Sequence, residues 1–514
     1  MGGSGVISTG QGSTGVHTVV MTLNRVFITA VIGFVMRNCE PAENEALFSR
    51  KIRSPQLMVM DISSKSIYNE CKKKMQAAED KKTFNVSVFS STYVEKDLFA
   101  ASLIHHFPRK GGTVTYGDVA LEYIPQPVPQ DTMRLRLYVA YPVDRKELYN
   151  NICLQRVGLI GLMVQTFIAI ELKVPMEERT MTSGTYVSIS GVLFSPIFTL
   201  IYCVKEPQFT EMTPSVALLQ LDKTAAELTH ERHLAKYIRK RLSLLGQLDS
   251  NRLLHLVFLL TPKKIGGTKG KDKIETILDL SVIKSDAFYC MPVFASQVHS
   301  YLDDVAVADI LPTHCCWRVM SWQGDNYMLR HTGGGTVASY LGAVVHEVGH
   351  LLKIPHTDSG IMCGGGENIQ TFFMPLKKMN LGFMEKDFPQ LQGISDNVSF
   401  VHVQMNDEFV IKRIMESLLD STTKLLMTVH PLITHKPRKK MCQILYDEDT
   451  GVVEVESGIR YVLYYTNDRA KRMLSFTEQY MKKRLVLRAE KSAVRALIVT
   501  EEGNFLSVLV TNSS

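Results

Sequence analysis

The residues best able to do chemistry lie between Gly333 and Gly366, in the segment GGGTVASYLGAVVHEVGHLLKIPHTDSGIMCGGG. His346 and His350 stand four apart in a run, Val337 to Leu352, that has no proline and an apolar face of Leu341, Val344, Val345, Val348 and Leu352. Four residues is about one helical turn, so both imidazoles project from the same side and can meet one ion. Glu347, beside the first histidine, can reach a water on that ion without ligating it. The chain must then turn and return a third ligand. Pro355 cannot continue a helix and biases Ile354 to extended backbone, and His356 follows at once. Asp358 is the alternative third ligand. Zinc suits three such ligands, because it takes neutral imidazole and tolerates an open fourth position. One Zn2+ per chain is expected. The chemistry would be peptide hydrolysis by a zinc-bound water, with Glu347 as general base passing the proton to the leaving amine. H-E-x-x-H also arises as an ordinary helix with two surface histidines. Here an apolar helix, the P-H pair and S-G-I-M give it the context of a site.

The run HEVGHLLKIPHTDSGIM resembles the metzincin signature, H-E-x-x-H-x-x-G-x-x-H with a downstream Met-turn. Within that clan it is most similar to the zinc metalloproteinase family of fungi and protists. In that family a P-H–x-x-S-G-x-M block leads into a glycine-containing stretch and a short aromatic segment, here Cys363 to Gly366 and Asn368 to Phe373. A core helix with Gln165, Phe167 and Glu171 is also similar to one of that family. The resemblance spans Arg145 to about Phe383. It implies that His346, His350 and His356 are ligands, Glu347 the catalytic base, and Met362 the Met-turn residue beneath the site; an ordinary core methionine is the other reading of Met362. One position departs from the pattern, since Lys353 stands where the clan has glycine. If that residue needs positive φ, lysine costs on the order of 1 kcal/mol, or the third ligand's geometry is compromised. No tyrosine follows Met362 closely, so no oxyanion stabiliser is named. His314, His331 and Asp325 lie upstream and could contact the site.

The elements that must position these residues imply an α+β chain: a metzincin-like peptidase domain, residues 143–390, flanked by β-rich domains. Residues 1–17 are Gly/Ser/Thr-rich and expected to be disordered. Residues 18–142 carry short β-type runs, VFITAVIGFVM, LMVMDI, NVSVFSSTYV and LRLYVAY. Then come a helical pattern from Arg145 to Lys173, strand-like TYVSIS and FTLIYCV, and a charged amphipathic helix over 222–247. A buried strand, LLHLVFLLT, follows. Lys263 to Lys273 is lysine- and glycine-rich and reads as a solvated loop. Residues 391–514 read as a mixed, β-rich domain with helices near Phe409–Thr422 and Ala470–Arg484 and a hairpin turning at Asp449-Thr450-Gly451.

Composition narrows the function classes. At 514 residues, two to four domains are expected. A net charge of +7, from 58 basic and 51 acidic residues, is too diffuse an excess to argue for nucleic acid. The basic run His435–Lys440 reads as a loop. The nine cysteines are scattered and contain no C-x-x-C, which points to reduced thiols and a cytoplasmic protein; His314-Cys315-Cys316 lacks useful ligand spacing. Val157 to Leu172 is short for a membrane span and reads as a core helix, and Val26 to Met36 as a buried strand. No membrane or nucleic-acid partner is expected, only a peptide or protein substrate. The leading function is a zinc metallopeptidase. The alternatives are a zinc hydrolase of other amides or esters, and a non-enzymatic binding or scaffold protein that keeps zinc structurally, for which Lys353 is the only motive.

Overall fold

The computed structural model describes residues 49–510 except 53–55, 63, 93–98, 109, 118, 125–132, 173–198, 201–214, 249–252, 261–272, 305–332, 365–368, 375–417, 435–442 and 489–493. The first half comprises β1 (Ser49–Ile52), β2 (Leu57–Ile62), α1 (Lys65–Asp80), β3 (Val86–Thr92), β4 (Phe99–His106), β5 (Gly112–Tyr116), β6 (Val119–Tyr123), β7 (Arg134–Tyr141), α2 (Asn151–Glu171), β8 (Thr199–Leu200), β9 (Val216–Gln220), α3 (Ala225–His230), α4 (Leu234–Leu244) and β10 (Leu253–Leu259). The second half comprises β11 (Lys273–Ile277), β12 (Leu280–Lys284), α5 (Val298–Leu302), α6 (Gly333–Leu351), α7 (Ile361–Gly364), α8 (Gln370–Phe373), α9 (Ser421–Val429), α10 (Pro431–Thr434), β13 (Ile444–Asp447), β14 (Val452–Thr466), β15 (Arg469–Ser475), β16 (Lys482–Val486), β17 (Val494–Thr500) and β18 (Phe505–Val510).

A mixed six-stranded sheet, β11-β12-β10-β7-β8 with β9 also on β7, lies at the centre. Its pairings are parallel except at the edge, where β11 runs antiparallel to β12. Burial on both faces explains why β10 reads as an almost unbroken apolar run. Leu254, Leu256 and Phe258 face the main core with α2 and α6, while Val257 and Leu259 face Leu234, Ile238 and Leu242 of α4. Two antiparallel-paired N-terminal layers, β2-β4-β3 and β5-β6, precede this sheet, with β1 parallel to β6. A six-stranded antiparallel sheet built on the long strand β14 follows it.

Helix α2 opens with Asn150 Oδ1 accepting from Cys153 N at 2.9 Å, a side-chain N-cap. It is long and apolar enough to span a membrane, yet 89% of its apolar window is buried inside the protein, so its apolarity serves the core. The buried strand at Leu253 and the hairpin before Val452 stand as expected. Cys71, Cys153, Cys290 and Cys363 are free thiols.

Two expectations are corrected. Ala470–Arg484 is not a helix: β15 and β16 occupy it, because β14 presents an open edge that their backbone completes, and tertiary pairing outweighs the helix propensity of the lysines and arginines. Of the helix expected near Phe409–Thr422, residues 409–417 lie outside the described residues; a helix begins at Ser421, where Asp420 Oδ1 caps Thr422 N and Thr423 N. The helix over 222–247 is two, since its chain breaks at Glu231-Arg232-His233 after the capping box of Thr224 and Glu227. Unlooked for is α1, amphipathic with only Cys71 buried. Residues 1–17, Val26–Met36, TYVSIS, the 263–272 loop, Cys315–Cys316 and the basic run His435–Lys440 fall outside the described residues.

Candidate metal centre

Helix α6 carries the first two histidines. It begins at Gly333: Gly334 N donates to Asp304 O at 2.8 Å, and a Cβ on Gly334 would stand 2.2 Å from Leu302 O. The glycines therefore admit the helix start against the end of α5. His346 and Glu347 are buried and His350 is half-buried.

Each of these histidines is oriented through its Nδ1. His346 Nδ1 lies 2.8 Å from Ile361 O and His350 Nδ1 lies 2.9 Å from Ile354 O. A carbonyl can only accept, so Nδ1 carries the proton and Nε2 keeps its lone pair for a metal. The carbonyls come from the chain just beyond the helix, so the helix end and the ligand tautomers are set together.

That helix end turns at Lys353, whose φ is 64°. Lys353 N donates to His350 O at 2.9 Å and Ile354 N to Gly349 O at 3.0 Å, the two bonds of a Schellman turn. Lysine thus takes the conformation that glycine adopts without strain, at a cost on the order of 1 kcal/mol. The turn is not redrawn. It delivers Ile354 O to His350 and leads through Pro355 to His356.

The third histidine is held by its backbone. His356 N donates to Asp468 O at 2.8 Å, and Ala470 N donates to His356 O at 2.7 Å, a parallel bridge to Arg469. Asp468 belongs to the two-residue turn between β14 and β15, where Asn467 and Asp468 both have positive φ (49° and 59°). The C-terminal sheet therefore places a hairpin tip against the third histidine. One ligand atom from each of His346, His350 and His356 falls within 4.8 Å of the others, with ring centroids 4.6–5.1 Å apart. The set fits zinc: three imidazoles, with two Nδ1 atoms engaged elsewhere. Burial, then the neighbouring His350, holds His356 below the usual histidine range, which favours the neutral ligand form. Asp358 stays out of this group, with its side chain 74% exposed and 3.7 Å from Arg469. His314, His331 and Asp325 lie outside the described residues.

The return loop is tied from below. Thr357 Oγ1 donates to Asp420 Oδ2 at 2.9 Å, and Ile361 N donates to Leu418 O at 2.7 Å. Met362, 1% exposed, packs against α6 at Gly349, where an added Cβ would meet its Sδ at 2.4 Å and Cε at 2.9 Å. Gly349→Ala should therefore push Met362 off the helix between the two ligands and destabilise by about 1–3 kcal/mol, as core overpacking does. Urea denaturation checks this, and an unchanged midpoint would contradict it.

Glu347 is positioned by the edge of the central sheet. Thr276 Oγ1 on β11 donates a short hydrogen bond to Glu347 Oε2, and Ser281 Oγ on β12 lies 3.5 Å from the same oxygen. Thr276, Asp468 with Ala470, and Asp420 were not singled out from the sequence. They lie 63 or more residues from the site residues they contact, and no local pattern links them.

Residues 275–424 match the family model Metallopep, described as "Putative peptidase family", a stretch that holds Thr276, α6, His356 and Asp420 but less than half of the chain. No curated protein matches. Among solved structures, the chain is similar to wild-type OgpA from Akkermansia muciniphila (12% identity, TM-score 0.38). It is also similar to catalytically inactive OgpA from that organism in complex with an O-glycopeptide, glycodrosocin (11%, 0.39). Each alignment covers 75% of this chain and 94% of the other. The family match and the histidine triad support a metallopeptidase.

Proposed function

We propose that this chain is a zinc-dependent peptidase of metzincin type, with His346, His350 and His356 holding one zinc and Glu347 as general base. The observation that carries this reading is the convergence of the three histidines beside a buried carboxylate that is itself held by Thr276. When bound, zinc would supply Lewis acidity and make a water acidic near neutral pH. The chain's own residues do the rest. Ile361 O and Ile354 O keep two imidazoles in the ligating tautomer, and the Asn467–Asp468 tip fixes the backbone of the third. Glu347 accepts the proton of the attacking water at its carboxylate and hands it to the departing amine. Met362 is the Met-turn residue: it fills the floor beneath the ligands without ligating.

Lys353, the one ground for a non-enzymatic scaffold, takes the glycine-type conformation, and the helix-ending turn keeps both of its bonds, from Lys353 N and Ile354 N, so no observation favours that alternative. The catalytic unit in this reading runs from the central sheet into the C-terminal sheet through His356, and the substrate is a peptide or protein. A cytoplasmic setting remains part of the proposal on cysteine usage alone.

Metal analysis should find about one zinc per chain. The protein should cleave members of an unstructured peptide library, lose that activity on chelation and regain it with zinc. Native and chelated protein equally inert across the library would sink the peptidase reading. Correctly folded protein that takes up no zinc would sink the site itself.

A further inference from the structure

We propose that Lys353 is a positioning residue for the general base, acting through the β11–β12 hairpin and Thr276; this rests on the peptidase reading of the site. Lys353 Nζ donates a short hydrogen bond to Leu278 O, at the two-residue turn Leu278-Asp279 that joins β11 to β12. Leu278 is the first residue of that turn, 60% exposed and at φ 53°. A leucine at positive φ and a lysine at positive φ thus meet through one hydrogen bond, two strained positions joined beside the same helix. Strain of this kind persists where surrounding contacts over-determine the backbone, and it gathers at functional sites.

The hairpin so held carries both hydroxyls that reach Glu347, Thr276 from β11 and Ser281 from β12. On the other face of the sheet, α4 grips the same hairpin: Arg239 Nε donates to Asp279 Oδ1 at 2.9 Å and Ala235 N to Glu275 Oε2 at 3.2 Å. Those bonds fix the hairpin to the sheet's far layer and say nothing of its distance from α6. Lys353 ties it to the end of the very helix that bears Glu347. Among the described residues β11 is an edge strand, paired on one side by β12; Ile274 packs it against the main core, and Lys353 anchors its turn end to α6. A glycine at 353 would relieve the backbone and leave the hairpin without its anchor on this side. The departure from the metzincin glycine is then a substitution with a task.

The test uses the full chain loaded with zinc and the variants Lys353→Met, Lys353→Gly, Thr276→Val, Thr276→Ser and Lys353→Met with Thr276→Val. Thr276→Val should lower kcat about 30-fold with KM and zinc content kept, and Thr276→Ser should restore it to within about threefold. Lys353→Met should lower kcat about tenfold, and the double variant should be no more than about threefold worse than Thr276→Val, because the two residues act in series. Amide exchange over residues 273–284 should quicken about tenfold in both Lys353 variants, with 337–348 unchanged. Multiplicative effects in the double variant, or Lys353→Gly with native kcat and native exchange, would overturn the proposal. If the wild type cleaves no peptide, the peptidase reading fails separately; the exchange result still decides whether Lys353 seats the hairpin.

Discussion

Glu347→Gln should keep one zinc per chain and lose about 10²–10⁴-fold in kcat on any peptide that the native chain cleaves. The substitution is nearly isosteric, and its amide oxygen can still accept the Thr276 hydroxyl, so the side chain has a reason to stay in place. What it loses is the capacity to take a proton. The three ligands keep their own supports, the carbonyls of Ile361 and Ile354 and the Asn467–Asp468 tip, none of which involves the carboxylate. KM and thermal stability should therefore move little. Glu347→Ala is the instructive contrast, because it removes the acceptor for both Thr276 and buried Ser281; a buried hydroxyl left without its acceptor costs about 1–3 kcal/mol. A Gln variant with native kcat would remove Glu347 from the chemistry, and one that sheds zinc would make it part of the metal's support.

The clustering of the three histidines was legible in the sequence because one helical turn fixes His346 and His350 on either side of Glu347, and Pro355 marks where the chain must leave the helix. The turn that brings His356 home was legible only as a question. Lysine gave no sign of its conformation, and only the bonds from Lys353 N and Ile354 N reveal a glycine-type turn without glycine. The same holds more widely. Of the five non-glycine residues at positive φ among the described residues, four (Leu278, Lys353, Asn467 and Asp468) support the site; Asn467 and Asp468 are ordinary residues for a hairpin turn, whereas Leu278 and Lys353 are not. Strands were legible where burial on both faces made them apolar, as in β10. They were hidden where they were exposed and basic, as in β15 and β16, whose pairing to β14 is a long-range fact that periodicity cannot carry. The hairpin tip beside His356 was lost with them, since a helix expected from Ala470 left β14 no second strand to turn into at Asn467.

Between pH 7.5 and pH 5 the chelated protein should lose about 6 kcal/mol of stability through three histidines away from the metal centre, and His356, itself held down by burial, adds in the same direction. Burial pushes His105 down to about 3 and His255 and His299 down to about 4. Each is neutral and engaged: His105 Nδ1 with Tyr116 Oη at 2.8 Å, His255 Nδ1 with Tyr138 Oη at 3.0 Å, His299 Nδ1 with Ser87 Oγ at 2.6 Å. The unfolded chain takes up these protons near pH 6.5, whereas the folded chain refuses them until pH 3–4. More protons bind to the unfolded state throughout that window, so stability falls as pH falls. The loss is on the order of 2 kcal/mol per histidine by pH 5. Carboxylates do not confuse the reading. Asp222, Glu227 and Asp447 are held below their ordinary values, chiefly by hydrogen bonds, so they release stability only at more acidic pH. His299 also joins β3 to α8, with its Nε2 3.1 Å from Phe373 O, so its protonation should loosen the N-terminal layers from the core under the site. Urea midpoints at the two pH values, for wild type and for His299→Gln, provide the check. The variant should be less stable at pH 7.5 but lose up to about a third less on acidification, since it lacks one of the histidines that resist protonation. A midpoint that does not move with pH would mean that these rings already carry their protons in the folded chain.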